Sequence, residues 1–203
     1  MSKKALVLIA EAFEEIEAIT VIDVLRRAGV NVTVAGVYPS DAIDKPLPIK
    51  ASRGVVVTPD VVLSSLLDSK FSLKVLYDVV VVPGGMPGAQ HLSDNSSVVS
   101  LCSRQLEENR LLAAICAAPA VVLGSHGLLK GYTATCHPSM ESRLGQDRIS
   151  SRVVISRNLI TSMGPGTAME FALVIVECLL GRTKAEDVNR PMFCIYEPPQ
   201  YRA

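Results

Sequence analysis

The chain has 203 residues, of which 49% are hydrophobic and 20% charged, the composition of a well-buried globular fold rather than of a disordered chain. Twenty basic and twenty acidic residues cancel, so no global field attracts nucleic acid or an anionic membrane. Because no apolar run reaches membrane-spanning length, we expect neither nucleic-acid binding nor membrane insertion. The length fits one domain over residues 1–203.

The N-terminus and the cysteines predict a cytoplasmic protein with reduced thiols. Two lysines precede the apolar run 5–10, but Glu11 ends that run and no cleavage site for a signal peptide follows. The five cysteines are odd in number and include no CxxC pair. We therefore expect neither a disulfide framework nor a metal site.

Strand and helix patterns alternate along the chain. Short apolar runs predict strands at 5–10, 30–37, 55–57, 78–82, 111–115, 132–136, 153–155 and 159–162. Apolar repeats of helical period predict helices at 15–28, from 60, at 98–107, at 118–123 and at 168–180. The last helix is predicted to begin at a capping box of Thr167 and Glu170 and to end at Gly181. This alternation indicates an α/β fold with a mostly parallel sheet and helices on both faces.

Cys116 stands where the buried strand 111–115 ends and a helix begins, with Pro119 suited to the first helical turn. Ligands of open α/β sheets bind at the carboxyl ends of strands. The free N–H groups and partial positive charge of a helix N-terminus favour a thiolate, and such sites commonly lower a cysteine pKa to ~3.5–7.5. A buried structural cysteine is the plainer interpretation, but the position at an elbow favours a nucleophile.

The remaining cysteines are weaker candidates. Cys102 and Cys178 follow apolar residues at helical spacing and are predicted to pack in the core. Cys136 ends a predicted strand beside His137, which places it in or near the same crevice. Cys194 is predicted to lie in an exposed tail.

Two backbone donors are predicted beside Cys116. Gly84 and Gly85 follow the strand 78–82, and glycines there let backbone N–H groups approach a ligand. In a parallel sheet this loop lies next to Cys116, so the N–H groups of Gly85 and Ala117 are candidates for an oxyanion hole. An ordinary tight turn is the alternative for the glycine pair.

Glu17 and His137 are the candidate proton-transfer groups. The first strand-to-helix turn is acidic and lacks glycine, which argues against a dinucleotide site, and no other cofactor fingerprint occurs. Glu17 lies on an apolar row of its helix, so its pKa is predicted to be raised. Carboxylates at a helix N-terminus are often only favourable partners of the helix dipole, and the spacing alone does not select Glu17. His137 follows a predicted strand, and a Cys–His pair activates a thiol in many enzymes. The sequence leaves open whether the His137 ring points at Cys116.

These motifs together resemble the ThiJ/PfpI superfamily and, within it, the Parkinson-disease-associated deglycase branch, often called the DJ-one group. The resemblance covers roughly residues 4–192. The motifs that carry it are 14–17 (Glu-Glu-Ile-Glu), 26–29 (Arg-Arg-Ala-Gly), 78–85, 114–117 (Ala-Ile-Cys-Ala), 137–138 (His-Pro) and 164–167 (Gly-Pro-Gly-Thr).

The resemblance implies a flavodoxin-like α/β sandwich that forms a homodimer and acts without a cofactor. By position it assigns Cys116 as the oxidisable nucleophile and Glu17 as the carboxyl that hydrogen-bonds it in protonated form. Gly85 and Ala117 correspond to the backbone N–H donors, and the residues that correspond to the pocket are His137, Gly84 and Pro165. Arg53 corresponds to an arginine near the pocket and the dimer contact, with Arg27 and Asp23 as its neighbours.

Three departures from the family pattern limit what is carried over. Ala117 stands where protease-like members have histidine, which weakens a peptidase interpretation. Met163 replaces an arginine usual in the closest branch, and Thr58 replaces a second redox cysteine.

The expected function is that of a glyoxalase or protein deglycase acting on methylglyoxal or early glycation adducts, with a response to oxidative stress. A non-enzymatic redox sensor or chaperone switched by Cys116 oxidation is the alternative, because nucleophilicity and oxidation both depend on thiolate character. A cysteine peptidase or amidase is a weaker alternative.

Overall fold

The computed structural model describes residues 2–39, 44–67, 75–145, 148–196 and 201–202. Within these ranges the strands are β1 Lys4–Ala10, β2 Asn31–Val37, β3 Ile49–Lys50, β4 Val56–Val57, β5 Val61–Val62, β6 Val79–Val82, β7 Leu111–Ile115, β8 Val153–Ser156, β9 Leu159–Ser162 and β10 Tyr201–Arg202. The α-helices are α1 Glu15–Arg27, α2 Leu63–Leu66, α3 Gly88–Asp94, α4 Ser96–Glu107, α5 Ala168–Leu180 and α6 Arg182–Asn189. None of them is long and apolar enough to cross a membrane.

The main sheet has the strand order β10-β8-β9-β7-β6-β1-β2-β5, while β3 and β4 form a separate antiparallel hairpin. All neighbours in the main sheet are parallel except β8 and β9. This confirms the predicted flavodoxin-like α/β architecture with its mostly parallel sheet. Since β1, β6 and β7 are adjacent and parallel, their carboxyl ends meet at one edge of the sheet, where ligands of such folds bind.

Helix α1 places Glu17 beneath that edge. Glu14 is its N-cap, and the Glu14 carboxylate accepts the Glu17 N–H at 2.8 Å. The helix buries an apolar face that includes Val21 and Leu25, and it packs against α5. It ends where Gly29 adopts a positive φ of 81°. The N-cap and the buried face together fix how deep Glu17 sits in the core.

The segment 132–136 was predicted as a strand and is not one. Its N–H groups bond to side-chain hydroxyls of β8 and β9 instead of to strand carbonyls: Thr133 N–H donates to Ser156 Oγ at 3.1 Å, and Thr135 N–H donates to Thr161 Oγ1 at 3.0 Å. Only an isolated bridge at Ala134 has ladder geometry. The apolar pattern of this segment therefore predicts correctly that it is buried, but it does not show which groups accept its backbone hydrogen bonds.

One predicted helix start is also wrong, and one predicted helix cap does not form although its helix, α5, begins at Ala168 as predicted. Residue 60 does not begin a helix, because its carboxylate accepts the Val34 N–H at 2.8 Å and β5 comes before α2. The capping box at α5 does not form. The Thr167 hydroxyl bonds to the Gly164 carbonyl at 2.8 Å, and Glu170 pairs instead with Arg152 at 2.7 Å. Gly181 does end α5, as predicted.

The helix predicted at 118–123 is a short π-helical turn, Pro119–Leu123, followed by a 3₁₀ turn, Gly124–His126. Such a turn has few aligned peptide units, and the dipole of a helix grows from their alignment. The segment after Cys116 therefore supplies local N–H groups but little long-range positive potential.

Candidate active site

Cys116 occupies a strained elbow directly after β7. Its φ is +66°, a left-handed conformation that is expected to destabilise a non-glycine residue by roughly 1–2 kcal/mol. The neighbouring chain holds it there: the Cys116 N–H donates to the Ser162 carbonyl at 2.9 Å, and the Cys116 carbonyl accepts the His137 N–H at 2.8 Å. The residue is only 8% exposed. The fold thus fixes the thiol in one direction, as expected of a functional residue.

The two glycines after β6 allow the approach to this elbow. A side chain on Gly84 would place its Cβ 2.7 Å from Cys116 Cβ, so no larger residue fits there. Gly85 has a φ of +88°, where glycine carries no penalty. The N–H groups of Gly85 and Ala117 bond to the Cys116 sulfur and favour its charged form. The two predicted donors therefore converge on the sulfur.

Glu17 is fully buried next to the thiol. Its Oε2 accepts the Gly84 N–H at 2.7 Å, while Oε1 has no partner of ordinary hydrogen-bond geometry among the described residues. Burial raises the pKa of Glu17 to about 7. The Gly84 hydrogen bond and the contact with the Cys116 thiol oppose that rise, and the Glu14 carboxylate adds to it. The predicted direction of the Glu17 shift is confirmed, and such a carboxyl can exchange a proton near neutral pH.

The predicted lowering of the Cys116 pKa is wrong for the thiol beside an ionised Glu17. Burial, then the negative charge of Glu17 and the hydrogen bond with it, raise the pKa of Cys116 to about 12, against the opposing N–H groups of Gly85 and Ala117. The prediction from sequence took account of the helix N-terminus but not of burial or of the negative charge of Glu17.

A proton on Glu17 changes this balance. A protonated carboxyl carries no charge to repel the thiolate, and it donates a hydrogen bond to sulfur rather than accepting one. Two of the three causes that raise the pKa of Cys116 then disappear, while the two N–H donors remain. Cys116 and Glu17 are therefore coupled and share one proton between them, so that moving it from sulfur to carboxyl creates the nucleophile.

His137 lies on the same side of the site but does not bond to the sulfur. Its Nδ1 lies 2.8 Å from the Ser139 hydroxyl and accepts the Ser139 N–H at 3.3 Å. A neutral imidazole that accepts at Nδ1 carries its proton on Nε2. His137 lines the cleft, so its Nε2 is available to donate to a substrate oxygen that reaches it.

Cys116 opens into a cleft of about 290 Å³. The residues that line it are Glu14, Ser52, Arg53, Gly85, Met86, Cys116, Ala117, His137, Ser139, Met140 and Pro165. The size suits a small substrate. Among the described residues, no group of three or more His, Cys, Asp and Glu side chains is placed to hold a metal ion.

The structure brings most of the predicted site residues together. Arg53 and Pro165 line the cleft, and Gly84 acts from beneath it through Glu17. Asp23 and Arg27 do not line the cleft. They pair with each other at 2.7 Å on the exposed face of α1.

The other cysteines have more varied surroundings than predicted. Cys102 is fully buried in the core, as expected. Cys178 is exposed, so its predicted core position is wrong. Cys136 is fully buried, does not line the cleft and directs its sulfur to the His137 carbonyl at 3.4 Å. Cys194 is half-buried.

Sequence reasoning missed five residues that line the cleft: Glu14, Ser52, Met86, Ser139 and Met140. A signal existed for Glu14, because an acidic residue three positions before Glu17 has the spacing of an N-cap. A signal also existed for Ser139, because a serine two residues after His137 is close enough to form a local hydrogen bond with it. None existed for Ser52, which is brought to the cleft by a hairpin distant in sequence.

A buried thiol on a strand-to-helix elbow, with a protonatable glutamate and two backbone donors, defines an α/β protein with a candidate cysteine active site. Residues 3–178 match the model of the DJ-1/PfpI family. The chain belongs to that family, as the sequence motifs predict.

Similar proteins cover most of the chain. It is 44% identical over 186 residues to Protein DJ-1 homolog B of Arabidopsis thaliana, covering 91% of this chain but 40% of that protein. It is 37% identical to Glutathione-independent glyoxalase DJR-1.2 of Caenorhabditis elegans, covering 94% of this chain and 96% of that one. The solved structure of oxidized Toxoplasma gondii DJ-1 superposes with a TM-score of 0.87 at 37% identity, covering 96% of this chain and all of that one.

Proposed function

We propose that this protein is a cofactor-independent glyoxalase or protein deglycase that acts on methylglyoxal or on early glycation adducts in the cytoplasm. The observation that carries the proposal is the pairing of Cys116 with Glu17, a buried carboxyl whose pKa is raised to about 7. The reaction needs a nucleophile and a group that both accepts and returns a proton, and this pair supplies them. The Caenorhabditis elegans relative named as a glutathione-independent glyoxalase supports the same reaction class.

In the first step Glu17 takes the proton of the Cys116 thiol, and the thiolate attacks the aldehyde carbon of methylglyoxal. A carbon–sulfur bond forms and the carbonyl π electrons move to oxygen. As sulfur loses its charge to this oxyanion, the N–H groups of Gly85 and Ala117 remain the nearest donors for it. Glu17 then returns its proton to the oxygen, which gives a neutral hemithioacetal.

In the second step the Glu17 carboxylate removes the proton from the former aldehyde carbon, and an enediolate forms with its negative charge on the neighbouring oxygen. Glu17 returns that proton to the neighbouring carbon while the hydroxyl proton of the first carbon moves to the neighbouring oxygen, which leaves a lactoyl thioester on Cys116. His137, which donates from Nε2, is suited to hold the second substrate oxygen during this transfer. Water then cleaves the thioester to lactate and the free thiol, so no external oxidant or reductant is consumed.

The test is to incubate the purified protein with methylglyoxal and measure lactate. We expect Cys116→Ser to make none, and Cys102→Ser, a matched change of another buried thiol, to retain the wild-type rate. Lactate from Cys116→Ser would contradict the proposal. A wild-type protein that makes no lactate, but gains two oxygen atoms at Cys116 in mild peroxide, would favour the redox-sensor alternative. The oxidized Toxoplasma gondii structure makes that alternative worth measuring.

We also propose that the protein is a homodimer through the outer face of α1 and the β3–β4 hairpin. Four large apolar side chains are 40–60% exposed there: Ile16, Ile19, Val55 and Val56. On α1 the two isoleucines share a face with Asp23 and Arg27, at spacings of three and four residues. A two-fold contact would bury this patch. Sedimentation that finds a monomer at micromolar concentration would contradict the dimer.

A further inference from the structure

The turn at the tip of the β3–β4 hairpin forms one wall of the active-site cleft. Ser52 and Arg53 both line the cleft, and Gly54 closes the turn with a φ of +97°. The hairpin is fixed to the β1–α1 loop at two points, because the Ala12 N–H donates to the Lys50 carbonyl of β3 at 2.8 Å and the Ser52 N–H donates to the Phe13 carbonyl at 2.8 Å. The tip is held by a side chain from α1.

That side chain is Glu15, which is buried at 8% exposure although it carries a carboxylate. Its Oε2 accepts the Ser52 hydroxyl at 2.8 Å, and its Oε1 accepts the Arg53 N–H at 2.7 Å. Burial opposes the charge, but hydrogen bonds from its own backbone, from Ser52 and from Arg53 outweigh it and lower the pKa of Glu15. Glu15 is thus an ionised clamp across two successive residues of the turn.

The hydrogen bonds of this Glu15 clamp determine the position of the Arg53 guanidinium. Arg53 is the one lysine or arginine among the residues that line the cleft, where the only carboxylate is that of Glu14. Within the described chain its side chain makes no ion pair and bonds only to the Ser52 carbonyl, at 3.3 Å. The charge of Arg53 acts on the Glu14 carboxylate and opposes the rise in its pKa, but the two form no ion pair, so the position of the guanidinium depends mainly on the backbone that Glu15 holds.

We infer that Glu15 is a positioning residue that holds the Ser52–Arg53 turn so that the Arg53 guanidinium faces the group bound next to Cys116. The clamp thereby favours electrophiles that carry negative charge close to the reacting carbon. For substrates this statement rests on the proposed function, but the placement of a cation beside Cys116 does not.

The test uses two alkylating reagents of nearly equal size, anionic iodoacetate and neutral iodoacetamide. For each variant, the rates at Cys116 are measured by peptide-resolved mass spectrometry, and their ratio reports the cation independently of turnover and of general thiol reactivity. We expect Arg53→Ala and Glu15→Ala each to lower the iodoacetate-to-iodoacetamide ratio roughly fivefold, the size of one charge–charge interaction at about 4 Å in water. The double variant should be no lower than Arg53→Ala alone.

The variant Glu15→Gln separates the effect of the Glu15 hydrogen bonds from the effect of its negative charge. In Glu15→Gln the amide oxygen still accepts the Arg53 N–H and the amide nitrogen donates to the Ser52 hydroxyl, so the turn stays in place while a negative charge is lost. We expect its ratio to equal or exceed that of the wild type. If Glu15 acted only through its charge, Glu15→Ala would raise the ratio as well, and that result would overturn the inference.

Two further outcomes are distinguishable. If Glu15→Ala does not fold, Ser52→Ala removes half of the clamp from the other side and should lower the ratio in the same direction. An unchanged ratio in Ser52→Ala would then overturn the inference. If the ratios behave as expected but the wild-type protein makes no lactate, the clamp stands and the proposed function fails.

Discussion

Cys116 and Cys102 are both buried thiols whose pKa is raised to about 12, yet the causes differ. Around Cys102, on α4, burial alone raises the pKa. Around Cys116 burial acts together with Glu17, and two N–H groups oppose them. A high pKa therefore describes an inert thiol at one position and a switchable one at the other. The difference lies in whether a neighbouring group can change its charge.

The largest expected effect is on turnover in Glu17→Gln. The amide still accepts the Gly84 N–H, so the fold is kept, but it cannot carry a proton between carbons. We expect lactate production from methylglyoxal to fall by roughly 10²–10⁴-fold. Near-wild-type lactate from Glu17→Gln, with Cys116→Ser inactive, would show that the proton-transfer role is wrong. His137 would then be the leading candidate for the base.

The second effect is on stability. The pKa of Glu17 is about 7 in the folded protein against an ordinary value of 4.5, so the folded state binds more protons between these two values. The free energy of unfolding of the wild type therefore falls as pH rises through this window and levels off above it. Glu17→Gln lacks this titration and should gain up to about 3 kcal/mol relative to wild type between pH 4 and pH 8.

Denaturant unfolding of both proteins at the two pH values measures this gain. Cys102→Ala provides the comparison, because neither its folded nor its unfolded thiol titrates between pH 4 and pH 8. Its stability difference from wild type should be the same at both. A Glu17→Gln difference that is equally independent of pH would mean that Glu17 is not protonated on folding.

The smallest effect is on thiol reactivity. Above pH 7 the wild-type Glu17 is ionised and repels the Cys116 thiolate, so Glu17→Gln should lower the pKa of Cys116. A shift of one unit makes Cys116 alkylation by iodoacetamide at pH 8 about tenfold faster, even as turnover falls. Cys102, measured on its own peptide, should not change. A slower Cys116 would indicate that Glu17 still holds a proton at pH 8.

The sequence predicted the parts of the site that depend on local order along the chain. Cys116 was found because a buried strand stops there. The apolar row of α1 predicted the raised pKa of Glu17, but the resemblance to the family selected Glu17 from among the neighbouring carboxylates. Cys178 was misplaced because α5 leaves the core in its last turn, which its apolar repeat does not show. The roles of Glu15 and Ser52 were out of reach, since they depend on a hairpin contact between residues 37 positions apart.

The backbone at Cys116 also bears on protein engineering. Its left-handed φ suits glycine better than cysteine, so the fold gives up some stability in order to present a thiol there. Selection of variants for heat resistance alone exerts no pressure to keep that thiol. A thermostabilised form of this protein should therefore be screened for thiol reactivity in every round of selection.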